Sequence, residues 1–312
     1  MKKSLFLPLL LASALSVGVA SLAPMSAPAQ VVQTMGAGQI DWTNGQITVT
    51  GTGAAPNKAG MSAGQKRLMA QRAAVADAYR QLAELINGVN VDSETIVKDF
   101  VTESDVIRTR VSALIKGAKP GKPRYMSDGT VEVDVTLGVY GNNSLSAAMV
   151  PHVLEKKEVK TIEPVYTTPT REPSIVMPTP TPTAIPTRTP ETSKPVSGSY
   201  TGVIIDARGL GISPAMSPQI KDNDGKEIYI GDRPIDPDLV VNIGIVGYAN
   251  SLDQARGNAR IGNNPLVIKA VQAGGRHKTD AVVSAAHGQQ ILQADSKSQF
   301  LRGSKVIFVI DK

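Results

Sequence analysis

His152, His277 and His287 are the only imidazoles in this chain, and there is no cysteine. A catalytic zinc needs several donors converging on one point, and these three stand in separate segments with no i, i+4 relation. No metal site is expected from them. The missing thiols also rule out a cysteine nucleophile, a thiolate cluster and a lipid-modified cysteine. Asp222-Asn223-Asp224-Gly225 has the opening of a calcium loop, but Ile230 fills the ninth position and no glutamate fills the twelfth, so it reads as a polar turn. Gly209-Leu210-Gly211 follows an apolar run, as a phosphate loop does. The third glycine is missing, and Pro214 and Pro218 stand where the helix should begin, which argues against a dinucleotide. No Gly-x-Ser-x-Gly elbow is present. The residues therefore predict no enzyme and no cofactor.

Two charged groups remain as candidate binding sites. Asp206 and Arg208 close an apolar run, where side chains either serve a site or pair with each other. Arg108, Arg110, Lys116, Lys119, Lys122 and Arg124 occur with no acidic residue between Val106 and Asp128. Such a run suits phospholipid headgroups, lipopolysaccharide phosphate or an acidic protein patch. The alternative is a solvated loop balanced by Glu132 and Asp134.

Composition narrows the partners. The formal charge is +6, and +4 once Lys2 and Lys3 are set aside, too mild for a nucleic-acid binder. Aromatic residues make up 4%, with Trp42 the sole tryptophan, which argues against the aromatic-lined clefts that hold sugars.

The elements that must position these residues begin with an address. Lys2 and Lys3, an apolar run from Leu5 to Ala20 and the small-residue site Ala27-Pro28-Ala29 have the layout of a secretory signal. Cleavage between Ala29 and Gln30 predicts a periplasmic or extracellular protein with no transmembrane segment in the mature chain. From 164 to 199 the chain is rich in proline and threonine, a semi-rigid spacer able to hold two domains apart. Residues 30–163 and 200–312 are the expected domains.

In the first domain, Asn44-Gly45 predicts a two-residue hairpin within 35–50. A helix is expected over 63–87, with Ala70, Ala73, Ala74 and Ala78 forming a face that lets it approach a sheet closely. Val131, Val133, Val135, Leu137 and Val139 alternate with mostly polar residues, as a half-buried strand does. Val106 to Ile115 also alternates, so the two predict a long antiparallel pair under the helix.

The turn Gly51-Thr52-Gly53, the helix with Arg72-Ala73-Ala74-Val75-Ala76-Asp77-Ala78, Gly88-Val89 and a long strand pair, Val106–Ile115 with Val131–Val139, together resemble the LPP20 lipoprotein family. They are similar also to the N-terminal domain of flagellar assembly protein T, over about residues 50–141. That resemblance implies a non-enzymatic envelope protein, in some members part of a flagellar ring or disk. The chain departs from the lipoproteins in lacking the anchoring cysteine. Gly202 to Leu210, followed by Pro214 and Pro218, resembles a segment that accompanies LPP20-like domains.

The second domain predicts strands at Val203–Ile205, Glu227–Ile230, Val240–Val246, Leu266–Val271, Ala281–Ser284 and Val306–Ile310. Helices are expected after the capping box Ser251–Gln254 and near Gln289–Ser296. The fold class is α+β: two small domains, a helix packed on an antiparallel sheet, joined by the Pro/Thr-rich spacer. The expected function is that of an envelope structural or assembly protein, linked to a flagellar or surface apparatus and partnering itself or other envelope proteins. The alternative is a periplasmic module for an anionic ligand or envelope component.

Overall fold

The computed structural model describes residues 30–150, 199–230 and 235–311. The signal segment, His152 and the Pro/Thr-rich segment up to residue 198 lie outside them. The fold is mixed α+β, as expected.

The N-terminal half is one antiparallel sheet under a long helix. Its strands are β1 (Val32–Met35), β2 (Gly38–Asp41), β3 (Gln46–Gly53), β4 (Lys119–Pro120), β5 (Arg124–Tyr125) and β6 (Val131–Gly138). They run in the order β1-β2-β3-β6, and both short strands β4 and β5 pair with β6. Helix α1 (Ala63–Asn87) opens on a capping box in which Ser62 and Gln65 satisfy each other's backbone N–H, and Gly88 ends it. It buries Ala70, Ala74 and Ala78 against β3 and β6. The approach is close because β3 carries glycine there. A Cβ on Gly51 would lie 2.2 Å from the carbonyl oxygen of Ala74, and one on Gly53 2.2 Å from its backbone nitrogen.

The partner of β6 differs from expectation. Val106–Ile115 is not a strand but lies in helix α3 (Asp105–Gly117), which follows α2 (Val97–Glu103). Ser104 caps α3 by accepting the Ile107 N–H, and Ile107, Val111, Leu114 and Ile115 fall at helical spacing. Apolar residues at 107, 111 and 115 fit periods of both two and nearly four, and the cap decides. The true partner of β6 is β3, over eight residues from Gln46 opposite Gly138 to Gly53 opposite Val131.

The predicted hairpin forms, with a longer loop. Asp41 pairs with Gln46, leaving four residues between the strands. Trp42 turns inward, its backbone N–H donating to Val31 O and its indole N–H to Gln33 Oε1 at 2.9 Å. The Asp41 carboxylate holds Asn44 through its backbone and side-chain N–H, and Gly45 takes φ +64.

Helix α4 begins at 145 and its described part covers 145–150. The C-terminal half then supplies β7 (Gly202–Asp206), β8 (Ile220–Asp222), β9 (Glu227–Tyr229), α5 (Pro237–Ile243), β10 (Gly247–Ala249) and α6 (Leu252–Arg256). It ends with β11 (Pro265–Lys269), β12 (Gln272–Gly274), β13 (Asp280–Val283), α7 (Ala285–Ser298) and β14 (Val306–Val309). These strands form two sheets. One is wholly parallel, β10-β14-β7-β11, and the other is β12-β13-β8-β9. Continuous apolar runs in β7 and β14 follow from burial on both faces. Ile204, Ile307 and Val309 pack with Ala255 and Ile261, while Val203, Ile205, Val306 and Phe308 face the main core. The stretch expected as a strand at Val240–Val246 starts inside α5, because Asp236 caps and Pro237 opens that helix before Gly244 stops it.

The two halves share that main core. Val49, Leu82 and Met149 belong to the same buried cluster as Val203, Tyr229 and Phe308. Backbone hydrogen bonds cross the seam from Met216 N to Asn90 O, Ser217 N to Val91 O, Gly141 N to Val241 O and His277 N to Ser93 O. A spacer able to hold the halves apart therefore joins two bodies in contact.

Candidate functional site

The carboxyl end of a parallel sheet is the usual ligand position in open α/β folds, so the end of β7 comes first. Asp206 is its last residue, with Lys269 of β11 opposite. The Arg208 guanidinium closes on the Asp206 carboxylate, Nε to Oδ1 and Nη2 to Oδ2, both at 2.8 Å. Gly209 N donates to Asp311 Oδ2 at 2.8 Å. The Arg208 hydrogen bonds hold the Asp206 carboxyl below the usual carboxylate range, with smaller help from the charge of Lys269. The sequence left this pair open between binding site and internal ion pair. Its geometry is that of the internal pair: the fork is engaged, and the charges cancel locally.

The basic run is dispersed in a similar way. Arg108, Arg110 and Lys116 lie on α3, not on a strand. Arg108 is taken by Asp105 at 2.9 Å and by the Val101 carbonyl. Arg124 points to the sheet face opposite α1, where it pairs with Asp134 and with Glu132 at 3.1 Å and donates to Asp134 Oδ1 at 2.9 Å. That contact holds the Asp134 carboxyl down. Arg110, Lys116, Lys119 and Lys122 are exposed and make no ion pair among the described residues. The six are thus not one patch.

What sequence reasoning missed lies on the other flank of the sheet. Between Asp41 and Asp77 there is no acidic residue, while Lys58, Lys66, Arg67 and Arg72 all fall there. Tyr125 pairs with Val131 in register and so shares the α1 face. Its hydroxyl lies 3.4 Å from Gln71 Oε1, and the Arg67 guanidinium sits 5.8 Å from its ring centre. The second acid-free stretch alone was read as a basic feature. The first was legible by the same count.

Behind the seam lies a half-buried polar group also unseen in the sequence. Arg260 donates to Gly244 O at 3.2 Å, Ser304 O at 2.9 Å and Ile243 O, closing the C-terminus of α5. Burial holds this guanidinium below its ordinary value. Tyr140, Tyr229 and Tyr248 are nearby, and burial pushes Tyr140 and Tyr229 up to about 12. A small cavity of about 10 Å³ lies between Val91, Met149, Met216 and Val240, too small for more than a water. No cluster of three His, Asp or Glu residues could hold a metal ion among the described residues. No helix among them is long and apolar enough to cross a membrane.

These features define an α+β protein in which an antiparallel sheet and helix dock on a parallel-sheet unit. Residues 202–312 match the family model of the second domain of Treponema pallidum Tp0624. No curated protein matches the chain. The match covers residues 202–312 only, about a third of the chain. It overturns the LPP20 and flagellar assembly protein T resemblance: neither family matches residues 50–141, and the segment beginning at Gly202 falls inside the residues similar to the Tp0624 second domain. An alanine-faced helix over a glycine-bearing strand is a packing solution that unrelated sheets can reach, and Val106–Ile115, counted there as a strand, is helical.

Proposed function

We propose that the chain is an exported, non-enzymatic envelope protein that works as a rigid interaction unit, binding through its outer surface and not through a cleft. The observation that carries this reading is the fate of its charged candidates. Asp206 and Arg208 neutralise each other, and so do Arg124 and Asp134, whereas Arg110, Lys116, Lys119 and Lys122 are left exposed and without an ion pair among the described residues. Export is supported by the signal layout of residues 1–29. Flagellar association rested on the withdrawn resemblance and is not part of the proposal. Lysine-directed crosslinking in intact envelopes tests it. Products that join Lys66, Lys116, Lys119 or Lys122 to a second copy or another envelope component are expected. Recovery of only uncrosslinked protein would contradict it.

A further inference from the structure

Among the described residues, the longest strand that ends a sheet is β11, five residues on the outer side of β7 in the parallel sheet. Its pairing with β7 runs without a bulge from Pro265 opposite Gly202 to Lys269 opposite Asp206. The even-numbered residues turn their backbone groups to β7, since Ala270 N donates to Asp206 O and Asn264 O accepts from Thr201 N. Backbone groups of successive strand residues point to opposite sides. Pro265, Val267 and Lys269 therefore aim theirs outward, where no described strand pairs with them. Val267 is 37% exposed and Lys269 is exposed, whereas Leu266 and Ile268 are buried. A regular edge with a solvent-facing valine is a template for another strand.

This edge complements itself. In an antiparallel pair about a two-fold axis at Val267, each Val267 faces the other and each Lys269 faces a Pro265. The Val267 N–H then donates to the Val267 carbonyl of the second copy, and the Lys269 N–H to its Pro265 carbonyl. Every outward donor is used, and the one position opposite an idle carbonyl is proline, which has no donor to lose. Slipping the pair so that Val267 faces Lys269 keeps the same donors, but it brings the two lysines to a diagonal of about 7–8 Å. With the axis at Val267 they stand roughly 13 Å apart along the strands. An axis at Lys269 sets the two charges face to face, and one at Pro265 pairs two residues without a donor. An unrelated strand would meet none of these constraints, so the placing of proline and lysine on either side of Val267 favours a second copy.

We propose that the chain pairs with a second copy of itself along β11, antiparallel about a two-fold axis at Val267, so that two four-stranded parallel sheets become one continuous sheet. The inference rests on the interaction reading above and names a partner for it. The two Val267 side chains cover each other, and on the other face Leu266 stands opposite Ile268.

Sedimentation velocity of the exported chain over a range of concentrations tests it. A dimer that dissociates on dilution is expected. Val267→Lys and Val267→Glu each set like charges face to face, and each alone should weaken association about fivefold or more at unchanged thermal midpoint, since the side chain is exposed. An equimolar mixture of the two variants should restore the dimer. A wild-type chain that stays monomeric at every concentration overturns the inference, and so does a dimer that both variants leave intact. Stronger association by Val267→Glu alone would place that residue opposite Lys269 and overturn the axis. Failure of the mixture to restore the dimer overturns it as well. A monomer in solution that still crosslinks to a different envelope component removes this inference alone; a Val267-dependent dimer formed by a chain retained in the cytoplasm removes the export reading instead.

Discussion

The Trp42 indole of the N-terminal half meets the Tyr248 ring of the C-terminal half edge to face, with centroids 5.6 Å apart and planes at 67°. The Tyr248 hydroxyl in turn donates to Ala215 O and accepts from Ala215 N, each at 2.9 Å. The sole tryptophan is therefore a reporter of the seam. Its fluorescence and the far-ultraviolet dichroism should follow one coincident denaturant transition. Trp42→Ala should cost about 3–5 kcal/mol. Tyr248→Phe keeps the ring contact but orphans both backbone groups of Ala215, costing about 1–3 kcal/mol. Two separate transitions would show that the halves are independent.

Because the seam is held by core packing and backbone hydrogen bonds outside the Pro/Thr-rich segment, cutting that segment should not part the halves. Limited proteolysis within 164–199 is expected to give two bands on a denaturing gel and one peak on native size exclusion. Two native peaks would contradict the shared core.

The glycines under α1 make a sharper test of packing. Gly51→Ala places a methyl 2.2 Å from a backbone oxygen and 2.3 Å from the backbone nitrogen of Ala78. The helix must lift, at about 3 kcal/mol, the upper end of the overpacking range. Ala78→Gly should not rescue the variant, since the obstruction is backbone. Wild-type stability in Gly51→Ala, measured by urea unfolding, would mean that the helix does not sit so close.

Stability should fall at both extremes of pH, for opposite reasons. The Asp206 and Asp134 carboxyls are held below the ordinary 3.8 by Arg208 and Arg124, so their contribution is complete above that value. It is lost as pH falls through the folded values. Both arginines are exposed and solvent screens the pairs, so Arg208→Ala should shift the acid limb of the stability profile only slightly. Tyr140 and Tyr229 titrate at about 12 in the fold against 10.0 ordinarily. Their contribution is complete below pH 10 and lost as pH rises towards 12. Since Tyr140 is wedged between Gly45 and Gly244, alkaline unfolding should change Trp42 emission along with tyrosinate absorbance. Loss of native emission well below pH 10 would show that these tyrosines do not set the limit.

How much of this was legible in the sequence depended on how many signals agreed. Helix α1 was read from its apolar periodicity and the Gly88 stop, and the Ser62–Gln65 capping box adds a start signal that was not used. The strand Val131–Val139 was read from its alternation. Val106–Ile115 misled because apolar residues at 107, 111 and 115 satisfy either period, and the Ser104 cap was not weighed. Val240–Val246 misled because an apolar run was preferred over the Asp236-Pro237 start. The seam had no local signal at all. Trp42, Tyr140, Tyr248 and Arg260 are separated by up to roughly two hundred residues, and only the folded chain brings them together. The Asp206–Arg208 pair was found, but its closure on itself needed geometry.

The claim that everything else serves is that this is an exported protein acting from its surface in the envelope. The most direct measurement is the intact mass of the protein recovered from the envelope fraction of cells expressing the full chain. The account predicts a mass lacking residues 1–29, with Gln30 as the first residue. Full-length protein confined to the cytoplasm would contradict it.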